Sequence, residues 1–368
     1  MPLGHIKIGT IAASGKLSWA LLDGLVERLF SEYLMLVDPV TNLGLAAESV
    51  KSYKIGEIVR RPQDVSEPEL LPYGYIIGDI KTISLSLSES ATPQVDVLAF
   101  ETLIPKSIMQ RYASLVKEHK HVIICGPPTT GKSKIARELA NFVSKGDNTG
   151  IVTFSLTREK SDSVEKLIED VKAEGKCDIF IIDNLQNAEN IDTLLQTLSS
   201  TNTNHLPYII GNQSYFLSQH QLLSLSSGTM TQSSGSTTDL QLKCNFRWIL
   251  FANHIEPVRG YLGRQLRRKL LAVEVECRQH NTEMYQVIEW ISKSFMIINK
   301  FLESHCSQDA TLSPATFLSL PLESSASRLW FINLWNLNIG KTGLRLDIIK
   351  IYHSNSLSYF LSPAAASC

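Results

Sequence analysis

The chain has 368 residues, 43% of them hydrophobic, 19% charged and 8% aromatic. That length and balance supply enough apolar side chain for two packed units and exclude a disordered or fibrous polymer. Lys and Arg number 35 against 36 Asp and Glu, a formal net charge of -1, so no global basic field exists to hold nucleic acid or anionic lipid, and any such contact must come from a local patch.

Six cysteines, Cys125, Cys177, Cys244, Cys277, Cys306 and Cys368, are far apart and form no CxxC pair, which argues against a zinc ribbon or a secreted disulfide framework and predicts reduced thiols. The opening MPLGHIKIGTIAASGKLSW has no basic start followed by an apolar block, and no run of about 20 apolar residues occurs. The expectation is an intracellular, cytoplasmic protein without a transmembrane segment.

In chain order, Trp19, Leu22, Val26, Leu29, Phe30 and Tyr33 recur at helical spacing and predict an amphipathic helix over 17–36. From Asp38 to Asp96 the chain is broken by Pro39, Gly44, Pro62, Pro68, Pro72, Gly74 and Gly78, with β-like runs at 75–77 and 80–87, and reads as irregular α+β structure. A helix should open near Pro105 and bury Ile108, Tyr112, Leu115 and Val116. Apolar runs then alternate with helical or polar stretches: HVIIC (121–125), IVTFSL (151–156), DIFIID (178–183), FRWILFAN (246–253) and LLAVEVE (270–276). This is the pattern of an α/β fold with a parallel sheet covered on both faces. Beyond Asn281 one helical face carries Met284, Val287, Ile288, Ile291, Phe295, Ile298 and Leu302, and a helical subdomain is expected there. The Ser, Thr, Gln and Gly-rich stretch 212–240 is expected to be an exposed loop, and the tail 340–368 lacks a clean period. The resulting division is an α+β extension over 1–100, a core over 101–277, a helical lid over 278–339 and a divergent tail.

Gly126-Pro127-Pro128-Thr129-Thr130-Gly131-Lys132-Ser133 fits the phosphate-binding pattern GxxxxGK[ST], between the apolar run HVIIC and the helical SKIARELANFVS. Such a loop turns its backbone N–H groups inward around a phosphate and aims a helix N-terminus at the anion. Lys132 would contact the β- and γ-phosphates, and Ser133 would ligate Mg²⁺. Gly340-Lys341-Thr342 also reads GKT, but Trp335 stands where the first glycine belongs.

A second metal ligand is offered by Asp183, which ends the buried run Ile179–Ile182 at the carboxyl edge of the sheet, where open α/β sheets bind ligands. Its bland alternative is a turn or cap residue. Asn184 follows where many P-loop ATPases carry Glu. An amide orients a water but does not deprotonate it, so binding should survive and hydrolysis should be slow. Asn253, ending FRWILFAN, is a candidate for orienting water against the γ-phosphate or, alternatively, a strand-terminal turn. The cluster Gly260-Tyr261-Leu262-Gly263-Arg264-Gln265-Leu266-Arg267-Arg268-Lys269 offers either an arginine for a neighbouring subunit's site or a solvated basic face.

A phosphate loop, Asp183, Asn253, arginines 11 to 15 residues later and then helices follow the order of an AAA+ ATPase core. The segments LGLAAESV, IGEIVRR, PELLPYGYIIGD, FETLIPKSIMQRYASLVKEHKHVIICGPPTTGKS, IIDNLQNA, LQLKCNFRWILFANHIEPVRGYLGRQLRRKL and SSASRLWFINLWN, from Leu43 to Asn336, resemble the carboxyl-terminal region of the neuron navigator family. The resemblance implies an AAA+ module that binds ATP with Mg²⁺, in proteins of neurite outgrowth that associate with microtubules and the cytoskeleton. It also implies a possible homo-oligomeric ring. By position it carries over the roles of Lys132, Ser133, Asp183, Asn253 and one of Arg264, Arg267 and Arg268, and it makes Arg328, within SRLWF, a candidate second γ-phosphate sensor. The family's calponin-homology domain, basic Ser-rich stretches and coiled coils have no counterpart in these residues, and cytoskeletal attachment is expected from such segments. The text also resembles the family more closely when 212–227 are skipped, as PYIIG then runs into GTMTQ. Two other readings are a helicase-like nucleic-acid remodelling ATPase and a non-hydrolysing scaffold stabilised by ATP. Neutral charge and the lack of interleaved aromatics in the basic cluster speak against the helicase.

Overall fold

The computed structural model describes residues 6–336 apart from 13, 63, 77–81, 88–94, 129, 145–149, 158–178, 189–190, 200–206, 215–245, 254 and 306–311. The first unit begins with α1 (Trp19–Val37), whose N-cap Ser18 accepts from the Leu21 N–H. Its buried positions Trp19, Leu22, Val26, Phe30, Tyr33 and Val37 follow helical spacing and share a cluster with Tyr53 and Ile55. Those two lie on β1 (Ser52–Ile55), the middle strand of an antiparallel sheet with β2 (Ile58–Arg60) and β3 (Ile83–Ser86). Arg60 closes the unit from inside. Its guanidinium binds the Asp23 carboxylate at 2.8 Å, Tyr53 donates to the same carboxylate at 2.6 Å, and the Arg60 head lies 5.4 Å from the Trp19 ring centroid. Of the β-like run expected at 75–77, Tyr75 ends a short 3₁₀ turn, Pro72–Tyr75.

Two helices lead to the second unit, α2 (Val95–Thr102) and α3 (Lys106–His119). The helix expected at Pro105 is α3, with Met109, Tyr112, Ala113 and Val116 as its buried side. Then follow β4 (His121–Gly126), α4 (Lys132–Val143), β5 (Ile151–Ser155), β6 (Ile179–Asp183), α5 (Ile191–Ser199), β7 (Tyr208–Ser214) and β8 (Arg247–Leu250). All five strands are parallel in the order β5-β6-β7-β4-β8. The two-residue period of a strand divides its side chains between two apolar layers. Val122 and Ile124, Ile179 and Ile181 enter the cluster formed with α3 and α4, whereas Ile123, Phe180 and Ile182 enter the opposite one with Leu194, Leu195 and Leu198 of α5. A sheet apolar on both faces is stable only when covered on both, which is why these strands read as continuous hydrophobic runs.

The chain continues through α6 (Val258–Cys277), α7 (Thr282–His305), α8 (Pro314–Leu318) and α9 (Ser324–Leu334). Here two expectations are corrected. LLAVEVE is the last part of α6 and not a strand: Leu262, Leu266 and Leu270 recur every four residues and pack with Met284, Ile288, Ile291 and Phe295 of α7. The stretch beginning at Asn212 is not wholly an exposed loop, because Asn212 and Gln213 are buried in β7, paired with Ile124 and Cys125. The rest of that stretch from residue 215, and the tail, lie outside the described residues. No described helix is long and apolar enough to cross a membrane.

Candidate functional site

The carboxyl ends of β4, β6, β7 and β8 form one edge of the sheet, and the phosphate-type loop leaves β4 there. Gly126 adopts φ 154° and lies so close to the next strand that a Cβ would collide with the Phe251 carbonyl oxygen. Gly131 takes the left-handed conformation, φ 83°, as N-cap of α4, a geometry that glycine adopts without penalty. These two glycines shape the turn between strand and helix. Thr130 is buried and its hydroxyl donates to the Pro127 carbonyl at 3.0 Å. Thr129 lies outside the described residues.

Lys132 occupies the first turn of α4 and is 5% exposed. Its ammonium donates to the Gly126 carbonyl at 3.1 Å and the Pro127 carbonyl at 2.5 Å. Burial pushes its pKa down to about 8, although Cys125 and Asp183 favour the charged form. Burial likewise pushes the Cys125 thiol up to about 12, which makes it an inert neighbour. Ser133, one residue on, is exposed at the same helix end.

Asp183 closes β6 and remains partly exposed. The adjacent strand brings Asn212 to it, and the Asn212 amide donates to a carboxylate oxygen at 2.6 Å. The remaining Asn212 oxygen is buried without a partner, as is the side-chain oxygen of Gln213. Sequence reading missed Asn212, because the Ser, Thr and Gln-rich text after it disguised the end of a buried strand; the signal was the apolar PYII immediately before it. Asn184 takes a left-handed conformation, φ 62°, donates to the Ser155 hydroxyl at 3.1 Å and accepts from Gln186 at 3.5 Å. It thereby bonds to the end of β5.

Asn253 does not sit beside Asp183. It follows β8, which flanks β4 on the side away from β6 and β7, so the strand order separates it from the carboxylate. The strand itself ends at Leu250, and Asn253 is buried in the turn beyond, 2% exposed, with no partner for either amide atom. An unmet buried polar group costs about 1–3 kcal/mol. Tyr261, on α6, reaches the loop from the same side, where its hydroxyl lies 3.7 Å from the position of a Cβ on Gly131.

The arginine cluster faces inward. Arg264 is 2% exposed, donates to the Leu103 carbonyl at 2.8 Å, pairs with Glu256 at 2.9 Å and approaches Asp38 to 3.9 Å. Arg268 donates to the Tyr33 hydroxyl at 3.0 Å and to the carbonyls of Phe100 and Glu101, with its head 4.8 Å from the Phe100 ring centroid. Arg267 is half-buried, and burial lowers its pKa against the pull of Glu289 and Asp38. Neither a solvated basic face nor a projecting finger describes Arg264 or Arg268, since their hydrogen bonds are spent joining α6 to α1 and α2. Arg328, on α9, pairs at 3.4 Å with Glu283 of α7, within the helical unit. Among the described residues no cluster of three or more His, Cys, Asp or Glu side chains could hold a metal, so a Mg²⁺ ion would rest on Asp183, Ser133, the nucleotide and water.

A five-stranded parallel sheet with a glycine-bounded loop, a buried lysine at the helix start and a carboxylate on a nearby strand defines a P-loop protein of the AAA+ class. The model of the ATPase family associated with various cellular activities (AAA) matches residues 122–268. Within that class the chain is a neuron navigator AAA+ region: the NAV1-like AAA+ ATPase lid model matches 271–344, and the neuron navigator 1-like, ubiquitin-like domain model matches 4–88. Neuron navigator 2 of Homo sapiens is 40% identical over 90% of the chain, neuron navigator 3 of Danio rerio 38% over 90%, and protein sickie of Drosophila melanogaster 38% over 89%. The chain spans only 13%, 14% and 14% of the lengths of these relatives.

Proposed function

We propose that the chain binds ATP with Mg²⁺ at this loop, hydrolyses it slowly, and uses the exchange to switch conformation within a navigator-type regulator of the cytoskeleton. The observation that carries the reading is Lys132, a buried ammonium held among the described residues by two carbonyls of its own loop, with Asp183 near enough to bias its charge. A phosphate would replace neutral carbonyl acceptors by oxygens that carry negative charge, which attract the ammonium more strongly. Ser133 and Asp183 would hold the cation, and the ion would offset the phosphate charge in the transition state. Asn212, already bonded to Asp183, is the amide placed to orient an attacking water. Asn184 lacks a basic group and is engaged with Ser155, which supports slow turnover. Microtubule and cytoskeletal attachment, and ring assembly, belong to this reading as the family's properties.

Titration calorimetry with Mg·ATP on the wild type and Lys132→Ala tests binding: the variant should lose at least about tenfold in affinity, the equivalent of one charge-assisted bond. Equal affinities would remove the nucleotide from this loop. Wild-type turnover should stay below about 1 s⁻¹, the low end of ordinary enzymes. Asn212→Ala should reduce it further with the Mg·ATP affinity kept.

A further inference from the structure

The connection from β2 to β3 displays apolar side chains that its own fold does not bury. Val65, Leu70, Leu71 and Tyr73 are 99%, 53%, 46% and 52% exposed. A single exposed apolar residue is ordinary, but Leu70, Leu71 and Tyr73 stand within four consecutive positions and give the loop an apolar surface toward water.

The backbone that carries them is fixed from beneath. Arg60 donates to the Ser66 carbonyl at 2.9 Å and to the Asp64 carbonyl at 3.2 Å, and the Trp19 indole donates to the Leu70 carbonyl at 2.9 Å. The Leu70 N–H donates to the Tyr75 hydroxyl at 3.3 Å, Pro72 is buried, and a Cβ on Gly74 would come within 3.0 Å of the Leu70 side chain. A surface held in place in this way loses little conformational freedom when something binds to it, which favours binding.

Charge selects the kind of partner. Residues 62–76 contain Asp64, Glu67 and Glu69 and no Lys or Arg. The Asp64 carboxylate accepts from the Arg61 N–H at 3.0 Å, whereas Glu67 and Glu69 are exposed and have no ion pair among the described residues. Carboxylates beside an apolar surface repel the phosphates of nucleic acid and of anionic lipid. They attract Lys or Arg that flank apolar side chains.

We propose that the loop 64–73 is a docking surface for a basic segment of a partner protein, whose apolar side chains rest on Leu70, Leu71 and Tyr73 and whose Lys or Arg residues face Glu67 and Glu69. No residue of the nucleotide site belongs to this surface, so the contact is additional to ATP binding and does not depend on it.

The test measures fluorescence anisotropy of two labelled peptides with the full chain, one of lysine and leucine and one of the same pattern with every lysine replaced by glutamate. Wild type should bind the lysine peptide at least about tenfold more tightly than the glutamate peptide. Leu71→Ser combined with Tyr73→Ser should weaken the lysine peptide about tenfold, as loss of apolar contact. Glu67→Lys combined with Glu69→Lys should weaken it about as much and reverse the preference between the peptides. The second pair alters only exposed side chains, so it decides the matter even if the serine variant melts early, and both variants should keep the wild-type affinity for Mg·ATP. Equal binding of the two peptides by wild type, or an unchanged preference in Glu67→Lys with Glu69→Lys, would overturn the proposal. So would self-association of the wild type that Leu71→Ser with Tyr73→Ser abolishes and the lysine peptide leaves undisturbed, since the occupant would then be a second copy of the chain.

Discussion

Lys132 shows what one buried charge does before any ligand arrives. Its pKa of about 8 lies below the ordinary 10.5, with burial as the main cause. Between those two pH values the unfolded chain keeps a proton that the folded chain releases. Folding stability therefore rises with pH across that window, and at pH 7 the charge is a net cost to the ligand-free fold. Lys132→Met should melt higher than wild type at pH 7 without nucleotide, flatten the slope between pH 8 and 10.5, and lose the stabilisation that Mg·ATP gives the wild type. Thermal melts across that range check all three, and a slope shared by both proteins would refute the assignment. The identity of this residue was legible from GxxxxGK[ST] alone. Its grip on the Gly126 and Pro127 carbonyls was not, because side-chain direction depends on how the loop closes.

At the scale of elements, the loop between β4 and α4 depends on two glycines for different reasons. A methyl at Gly126 meets the Phe251 backbone, which cannot withdraw without parting β8 from β4, while one at Gly131 meets only the Tyr261 hydroxyl at 3.7 Å and incurs backbone strain at φ 83°. Gly126→Ala should cost about 2–3 kcal/mol as overpacking, and Gly131→Ala about 1–2 kcal/mol as left-handed strain. Urea denaturation of the two variants checks the order, and equal costs would contradict it. Both glycines stand in the motif, yet spacing alone does not separate a steric requirement from a conformational one. Strand identity behaved similarly. Ile179–Asp183 was readable because both of its faces are buried, but LLAVEVE has Leu, Ala, Val and Glu in an order compatible with either element, and only packing against α7 made it helical. β7 was half legible, since PYII looks like a strand and NQS does not.

At the scale of the whole molecule, α6 is the joint. Its Leu262, Leu266 and Leu270 belong to the helical unit, its Leu271 joins the core of the first unit, and Tyr261 meets the phosphate loop. Arg264 and Arg268 tie the same helix to α1, α2 and the Leu103 turn, while Lys134 of α4 donates to the Glu101 carbonyl at 3.0 Å. Arg264→Met should cost about 3 kcal/mol, because it leaves the buried Asp38 carboxylate and the partly buried Glu256 carboxylate without this guanidinium. Arg28→Ala, which removes only the solvent-exposed Arg28–Glu32 pair, should leave stability close to that of the wild type. Denaturation of the purified chain measures both; unchanged stability in Arg264→Met would return that arginine to a role between subunits.

The sequence by itself determined the parallel sheet, the phosphate-type loop, the carboxylate at the end of β6 and the navigator resemblance, because each is written in contiguous residues whose chemistry or period is local. Tertiary structure alone decided which asparagine stands beside Asp183 and where the arginines point. The first depends on strand order: β7 lies between β6 and β4, and β8 lies beyond β4. Two asparagines at the ends of neighbouring runs look alike in one dimension, but the sheet puts Asn212 on the carboxylate and Asn253 on the opposite flank. The basic cluster likewise reads as surface charge until α6 is packed, when burial forces each guanidinium to find acceptors within the chain.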